Sequence, residues 1–174
     1  FMHSMDIFNY NRNAIKEKKF LSLNRMGRDH RVMFVSLLAY YNLLDYGYVS
    51  LGIFQEDIQN TYNELINLHP VIDKEIYVGF DMIRDKLPLK IDDIDLKNNQ
   101  FQVNSLPTRF YEKTYFSVVS STFALKVREP SVGFTEKELK PILYKHPFII
   151  HNLPGVLKHL KSMGFLTFNK WFDE

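Results

Sequence analysis

The 174-residue sequence contains no cysteine. This absence excludes disulfide scaffolds, zinc ribbons, thiolate-bound iron–sulfur sites and a thiol nucleophile. Long hydrophobic runs are lacking as well. The longest apolar stretch, residues 32–44, is interrupted by Ser36 and Asn42, and a membrane-spanning helix needs about 20 residues. We therefore expect no contact with a membrane.

The beginning of the chain lacks the basic segment and the apolar run that mark a signal peptide. For this reason we expect a cytoplasmic protein. Residues 1–4, Phe-Met-His-Ser, are typical of a cloning scar, so we expect the native start at Met5.

The sequence also lacks the short motifs that carry catalysis or bind cofactors. It has no glycine-rich dinucleotide loop, P-loop, zinc-protease helix, nucleophile elbow or calcium loop. Its histidines show no metal-ligand spacing. These absences predict a non-enzymatic protein with neither a cofactor nor a metal.

One remote alternative is a Mg²⁺-dependent nuclease, which needs two carboxylates and a lysine. Asp95 and Lys97 have the required spacing, with Asp81 or Asp85 upstream. However, an acidic residue two positions before a lysine occurs three times, hardly more often than this composition produces by chance. The motif therefore carries little weight.

Charge is unevenly distributed along an otherwise ordinary globular composition, with 45% hydrophobic and 24% charged residues. Residues 12–31 have a net charge of +5, residues 32–113 of −5 and residues 114–174 of +3. Two basic ends around an acidic middle allow two interpretations. Either a nucleic-acid footprint is split over two surfaces, or the segments neutralise one another in the folded domain.

Hydrophobic spacing predicts a mostly helical α+β chain. Apolar residues three and four positions apart indicate helices at 32–46, 55–68, 73–87, 115–127, 136–145 and 153–163. We also expect a short helix at 14–20 and a small hairpin between residues 91 and 103. The predicted architecture is a helical N-terminal region, residues 5–113, packed on a C-terminal module, residues 114–174.

The last predicted helix has the clearest local signals. Asn152 is expected to cap it, Gly164 to end it and Phe165 to begin a strand. Four apolar side chains form its expected buried face: Val156, Leu157, Leu160 and Met163.

The preceding helix begins with a capping-box pattern, Thr135 followed by Glu138, and Pro141 should shorten it. Together, residues 115–170 resemble the winged-helix superfamily, in which a leucine-rich, basic helix ends in glycine and a wing strand follows. The resemblance implies a winged-helix module at residues 114–174.

In winged-helix proteins that bind DNA, the solvent face of that helix enters the major groove. The resemblance therefore implies a regulator-like protein of transcription that binds double-stranded DNA. The implied DNA-binding residues are Lys158, His159, Lys161 and Ser162 on the helix, Asn169 and Lys170 on the wing, and Lys137, Lys140 and Lys145 near phosphates. The helix has no Arg, Asn or Gln to read bases bidentately, so we expect weak sequence selectivity.

An alternative role is protein–protein interaction without any contact with DNA. Winged helices also serve as protein-interaction subunits of larger assemblies, and the lysines are then merely solvated. Because the chain is rich in aromatic residues and has segments of opposite charge, we expect a homodimer or another protein partner.

Overall fold

A computed structural model describes residues 10–68, 73–91, 108–122 and 134–170. Within these ranges the chain forms a four-stranded, fully parallel sheet with helices on both faces. The strands are β1 (Lys18–Asn24), β2 (Gly47–Leu51), β3 (Thr114–Ser120) and β4 (Phe148–His151), in the order β2-β1-β3-β4. The helices are α1 (Asp29–Tyr40), α2 (Ile58–Leu68), α3 (Lys74–Ile83), α4 (Arg109–Glu112), α5 (Glu136–Leu143) and α6 (Val156–Ser162). Short 3-10 turns cover Leu44–Tyr46, Gln55–Asp57 and Arg84–Lys86.

β1 is paired on both sides, and its two faces bury different cores. Phe20 lies in the cluster that α1 and α3 form, with Val35 and Phe80. Leu21 lies on the opposite face, where it packs with Phe110 of α4. Because helices cover both faces of such a sheet, its strands read as almost continuous apolar runs.

α1 and α3 pack closely because Gly79 has no side chain. A Cβ atom at this position would overlap the backbone carbonyl oxygen of Ser36 on α1. The close approach seals the larger core, in which Val32, Leu51 and Leu65 are fully buried.

Two strands replace predicted helices. β1 includes the end of the short helix expected at 14–20, and β3 occupies the start of the helix expected at 115–127. Both predictions are wrong. The spacing of Phe116 and Val119 fits a helix, but in β3 the two side chains lie on opposite faces. Since both faces are covered, β3 lacks the polar–apolar alternation that would have marked it as a strand.

The winged-helix arrangement is not confirmed. β3 and β4 belong to the same parallel sheet as β1 and β2, and Phe20 of β1 is paired with Phe116 of β3. Residues 165–170 form no strand, so the strand predicted to begin at Phe165 is wrong. The N–H group of Phe165 instead donates to the Leu160 carbonyl and closes the end of α6. Gly164 ends this helix with a φ of 87°, as predicted.

The start of α6 also differs from the prediction. The helix begins at Val156 with Gly155 as its N-cap, whereas Asn152 uses its side-chain oxygen to accept from the N–H of Leu153. Of the predicted buried face, Val156 and Leu160 are buried, Leu157 is half-buried and Met163 is exposed. Met163 lies outside because the helix has already ended at Ser162.

The other helices are confirmed with small changes at their ends. α2 with its leading turn covers 55–68, α3 with its trailing turn covers 74–86, and α5 ends at Leu143. α1 begins earlier and ends earlier than the predicted 32–46. The expected hairpin falls on residues outside the described ranges, apart from residue 91. A chain with both helices and strands, in which helix predominates, is confirmed, whereas the parallel sheet was not expected.

Candidate functional site

The strand order places a topological switch point between β1 and β3. From β1 the chain continues to β2 on one side, and from β3 it continues to β4 on the other. The ladder between β1 and β3 ends at Leu21 and Ser117, three residues before either strand ends. The sheet therefore opens at its carboxyl edge. In open parallel sheets, ligands bind in the crevice outside this edge.

A cleft of about 680 Å³ lies at this edge, within the volume range of small-molecule sites. Its walls are the segments that follow β1, β2 and β3, together with α2 and the start of α5. Four cations line one part of it: Arg25, Arg28, Arg31 and Lys137. We call these four residues the cationic wall.

Arg31, on the first turn of α1, is the most unusual member of the cationic wall, since only 1% of its surface is exposed. Its guanidinium donates two long hydrogen bonds, to the Met26 carbonyl at 3.3 Å and to Thr122 Oγ1 at 3.5 Å. Its Nε atom is buried with no hydrogen-bond partner, and no carboxylate among the described residues lies within ion-pair distance.

The pKa of Arg31 reflects the lack of a paired carboxylate among the described residues. Burial, followed by repulsion from Arg28, lowers the pKa of Arg31 to about 10, although Glu136 and Glu138 act in the opposite direction. A buried cation without a bonded anion is costly to a fold. The position therefore requires a reason other than stability.

Arg28 joins the segment after β1 to the end of β3. Its Nη1 donates to the Thr122 carbonyl at 3.1 Å, while its Nε atom is buried without a partner among the described residues. Gly27 donates to the Gly52 carbonyl at 3.0 Å and so joins the same segment to the end of β2. The carboxyl ends of three strands are thus held around the cleft.

The start of α5 is fixed by the predicted capping box, which is confirmed. Glu138 is fully buried and accepts from Thr135 N at 2.7 Å and from Thr135 Oγ1 at 2.6 Å. Its other oxygen accepts from Asn152, which follows β4, at 3.4 Å. The box therefore fixes the first turn of α5, which contains Lys137, a residue that lines the cleft.

Two lysines of α5, Lys137 and Lys140, lie near the arginines of the cationic wall, although they belong to the C-terminal basic segment of the sequence. Lys137 forms an ion pair with Glu136 at 3.6 Å, and burial first and Arg31 second lower the pKa of its ammonium group. Burial also lowers the pKa of Lys140; Glu136 opposes this effect and Arg25 adds to it. The basic segments at the two ends of the sequence therefore meet at one edge of the sheet.

The part of the lining that α2 contributes differs in character from the cationic wall. α2 and the turn before it contribute Asp57, Asn60, Thr61 and Glu64 to the lining of the cleft. Ile53 and Phe54, which follow β2, add apolar surface between the walls. The lining of the cleft thus combines four cations with carboxylate and amide oxygens, and one carboxylate, Glu136, pairs with Lys137.

A pair of histidines lies beside the cationic wall. His30, on α1, is 7% exposed and its Nε2 atom is 2.9 Å from the Ser121 carbonyl oxygen at the end of β3. Its ring meets the ring of His151, at the end of β4, edge to face at 5.5 Å. Burial is the main cause that lowers the pKa of His30.

The residues predicted to contact DNA fall into separate groups. Lys158, His159, Lys161 and Ser162 are exposed on α6, and Asn169 and Lys170 are exposed in the irregular segment that follows it. His159 stacks on Phe134 at 5.5 Å, and Ser162 Oγ donates to the His159 carbonyl.

The predicted phosphate-contacting lysines of α5 are divided as well. Lys137 lines the cleft, and Lys140 lies near enough to Arg25 for that arginine to lower its pKa. Lys145 is exposed beyond the opposite end of the helix, in the left-handed conformation with a φ of 50°. The structure does not bring Lys145 together with the other two.

Sequence reasoning missed the three arginines of the cationic wall. Their only signals were the net charge of +5 in residues 12–31 and their position in the segment that follows residues 20–24, in which Phe20, Leu21 and Leu23 are apolar. The second signal was not used. Had these residues been identified as a buried parallel strand, the arginines would have been expected at its carboxyl end.

Other predicted chemistry finds no support in the described part of the chain. There, no group of three His, Cys, Asp or Glu residues is arranged to hold a metal ion. Asp81 and Asp85 are exposed and lie beside Arg84, while Asp95 and Lys97 are outside the described residues. No helix in the described ranges is long and apolar enough to cross a membrane.

Comparison with protein-family models, curated proteins and solved structures gives no significant match to this chain.

Proposed function

We propose that the cleft binds a nucleotide, with its phosphates on the cationic wall. The observation that carries this proposal is the buried guanidinium of Arg31, whose Nε atom has no partner and whose charge has no paired carboxylate in the described residues. A phosphate group would supply both the missing acceptor and the missing negative charge. Arginine is suited to phosphate because its planar donors match two oxygens at once.

Further support comes from the start of α1, where Arg28 is the N-cap and provides no side-chain cap. The first N–H groups of a helix lack partners within the helix and favour an anion. Arg28 and Arg31 flank this turn, and Lys137 faces Arg31 from α5. A diphosphate matches these three cations better than a single phosphate does.

The lining that α2 and the turn before it contribute favours binding of a nucleotide over binding of inorganic phosphate. Asp57, Asn60 and Glu64 offer oxygens that can accept from sugar hydroxyl groups. Nucleotide sites at the edge of open parallel sheets commonly use an acidic residue after the second strand to bind the ribose. Asp57 holds the corresponding place after β2.

We extend this proposal to an enzymatic role, which departs from the expectation of a non-enzymatic protein. Fixed cations that bind a diphosphate also stabilise it as a leaving group. We therefore favour transfer of the sugar of a nucleoside diphosphate sugar to an acceptor hydroxyl group. The bond between the sugar and the diphosphate breaks, the nucleoside diphosphate leaves, and the acceptor hydroxyl releases its proton to solvent.

The test is calorimetric titration with ADP, GDP, UDP, their sugar-linked forms and inorganic pyrophosphate. We expect one base to be preferred, and Arg31→Gln to weaken binding at least tenfold. Arg84→Gln, on an exposed arginine that does not line the cleft, is the matched control and should bind like the wild type. Absence of binding across the panel, or equal binding by Arg31→Gln, would refute the proposal.

Binding of duplex DNA by α6 stays a second, untested proposal. The observation in its favour is that Lys158, His159 and Lys161 are all exposed on one short helix. In a gel-shift titration at low salt, Lys158→Glu/Lys161→Glu should abolish binding while Arg31→Gln should not. Equal DNA binding by the wild type and the double variant would exclude this surface.

The alternative of a protein-interaction subunit or homodimer also stays a prediction. Exposed apolar side chains near the end of α6, Met163 and Leu166, favour it. Light scattering that shows a monomer at high concentration, with no partner retained in pull-downs, would count against it.

A further inference from the structure

His30 lies beside the cationic wall of the cleft, where Arg31 and Arg28 act on its charge. It lies in the first turn of α1, between Arg28 and Arg31 in sequence, and is almost fully buried. Its Nε2 atom donates to the Ser121 carbonyl at 2.9 Å. This bond fixes the ring, and in the neutral form it leaves Nδ1 without a proton.

Among the described residues, the charged groups that act on His30 are Arg31, His151 and Arg28, and none of them is acidic. Arg31 and Arg28 act from its own helix, and His151 acts from the end of β4. Directly after β3, the Ser121 carbonyl oxygen lies 2.9 Å from the Nε2 atom of His30. Burial has the largest effect, and together these groups lower the pKa of His30 despite the favourable bond to Ser121.

We propose that His30 takes up a proton when a phosphorylated ligand enters the cleft, so that ligand binding and protonation of His30 strengthen one another. This inference rests on the proposed function. A diphosphate on Arg28 and Arg31 would neutralise the two cations that oppose a charged imidazole. The protonated ring keeps its bond to Ser121 and adds a positive charge beside the ligand.

Linkage sets the direction and size of the effect. If the bound protein holds a proton that the free protein lacks, affinity rises as the pH falls between the two pKa values of His30. For a single proton the dissociation constant then falls by at most about tenfold per pH unit. The effect should be largest near the reference histidine pKa of about 6.5 and below it.

The experiment is calorimetric titration with inorganic pyrophosphate at about pH 6, half a unit below that reference value, in two buffers of different ionisation enthalpy. The difference between the buffers gives the number of protons taken up for each ligand bound. His30→Gln preserves an N–H donor for Ser121 but cannot titrate. Because pyrophosphate also titrates, the quantity that matters is the difference between wild type and variant. We expect the wild type to take up several tenths of a proton more.

Two controls complete the design. His159→Gln changes an exposed histidine on α6 and should match the wild type, whereas His151→Gln tests the neighbouring ring. Uptake that disappears only in His151→Gln would place the proton on His151 and overturn the inference. If His30→Gln does not fold, imidazole NMR of the wild type with and without pyrophosphate gives the same answer, and an unchanged His30 pKa would overturn the inference.

The result separates this inference from the proposed function. Binding of pyrophosphate without a difference in proton uptake refutes the role of His30 and leaves the phosphate site intact. No binding of pyrophosphate or of any nucleotide refutes both.

Discussion

Replacement of Arg31 by methionine should stabilise the protein against unfolding and abolish nucleotide binding. Arg31 is 1% exposed, and its pKa falls to about 10 from an ordinary value of 12.5. The shift corresponds to about 3 kcal/mol of folding free energy, at about 1.4 kcal/mol per pKa unit. The sign follows from linkage. Since the unfolded chain binds this proton more tightly, the folded protein bears the cost at every pH below the folded pKa of about 10.

Part of the stability gained by removing the buried charge is offset by interactions that the Arg31→Met variant loses. The methionine side chain can fill the space of the arginine stem, but the two hydrogen bonds of the guanidinium, at 3.3 and 3.5 Å, are lost. Long bonds of this kind contribute at most about 1 kcal/mol each. We therefore expect a net gain of about 1–2 kcal/mol in the free energy of unfolding, which corresponds to a rise of about 2–8 °C in Tm.

Urea unfolding with and without nucleotide measures both halves of the prediction. A ligand at 100 times its dissociation constant stabilises the wild type by about 2.7 kcal/mol, and Arg31→Met should gain nothing from the same concentration. Arg84→Met, on an exposed side chain, should change stability by less than about 0.5 kcal/mol. The reasoning is refuted if Arg31→Met is less stable than the wild type, because Arg31 would then be a structural residue.

Three further predictions concern the fold. Gly79→Ala should cost about 2–3 kcal/mol in urea unfolding, because its Cβ would overlap the Ser36 carbonyl oxygen and force α1 and α3 apart; an unchanged midpoint would contradict this packing. Thr135→Ala should cost about 1–2 kcal/mol, because it removes the cap of α5 and one donor to buried Glu138, and Thr135→Ser should restore most of it. His146 is 3% exposed and burial lowers its pKa, so below a pH of about 6.5 the unfolded chain binds more protons and stability should fall. Unfolding midpoints that stay constant from pH 7.5 to about 5 would contradict this expectation.

The sequence predicted the amphipathic helices better than it predicted the sheet. α2 and α3 each lie against the core on one face only, and Leu65 and Phe80 mark that face with helical spacing. β1 and β3 are buried on both faces, so their apolar runs carry no period that separates them from a short helix. The winged-helix resemblance depended on α6 and its terminal glycine, which are local features that several folds share.

The candidate site was predicted only in fragments. Lys137 and Lys140 were singled out for contact with phosphates, but on a surface that the structure does not show. Arg28 and Arg31 were overlooked because the net charge of +5 in residues 12–31 does not distinguish one basic residue from another. Their meaning depends on strand order, which alone brings the end of β1 beside the end of β3 and the start of α5.

The uneven charge of the sequence finds its explanation in this arrangement. Neither interpretation, separate nucleic-acid surfaces or mutual neutralisation of the segments, describes Arg31, which has no ion pair among the described residues. Lys137 comes from the other basic segment and pairs with Glu136, yet it lies close enough for Arg31 to lower its pKa. Unlike charges were available for neutralisation, since Glu138 is buried nearby, yet it is bonded to Thr135 rather than to Arg31. A fold that gathers like charges in a buried place, and holds a carboxylate away from them, gives up stability there. Such local departures from good packing are expected where a site is prepared for a ligand, and here the ligand that would offset the cost is an anion.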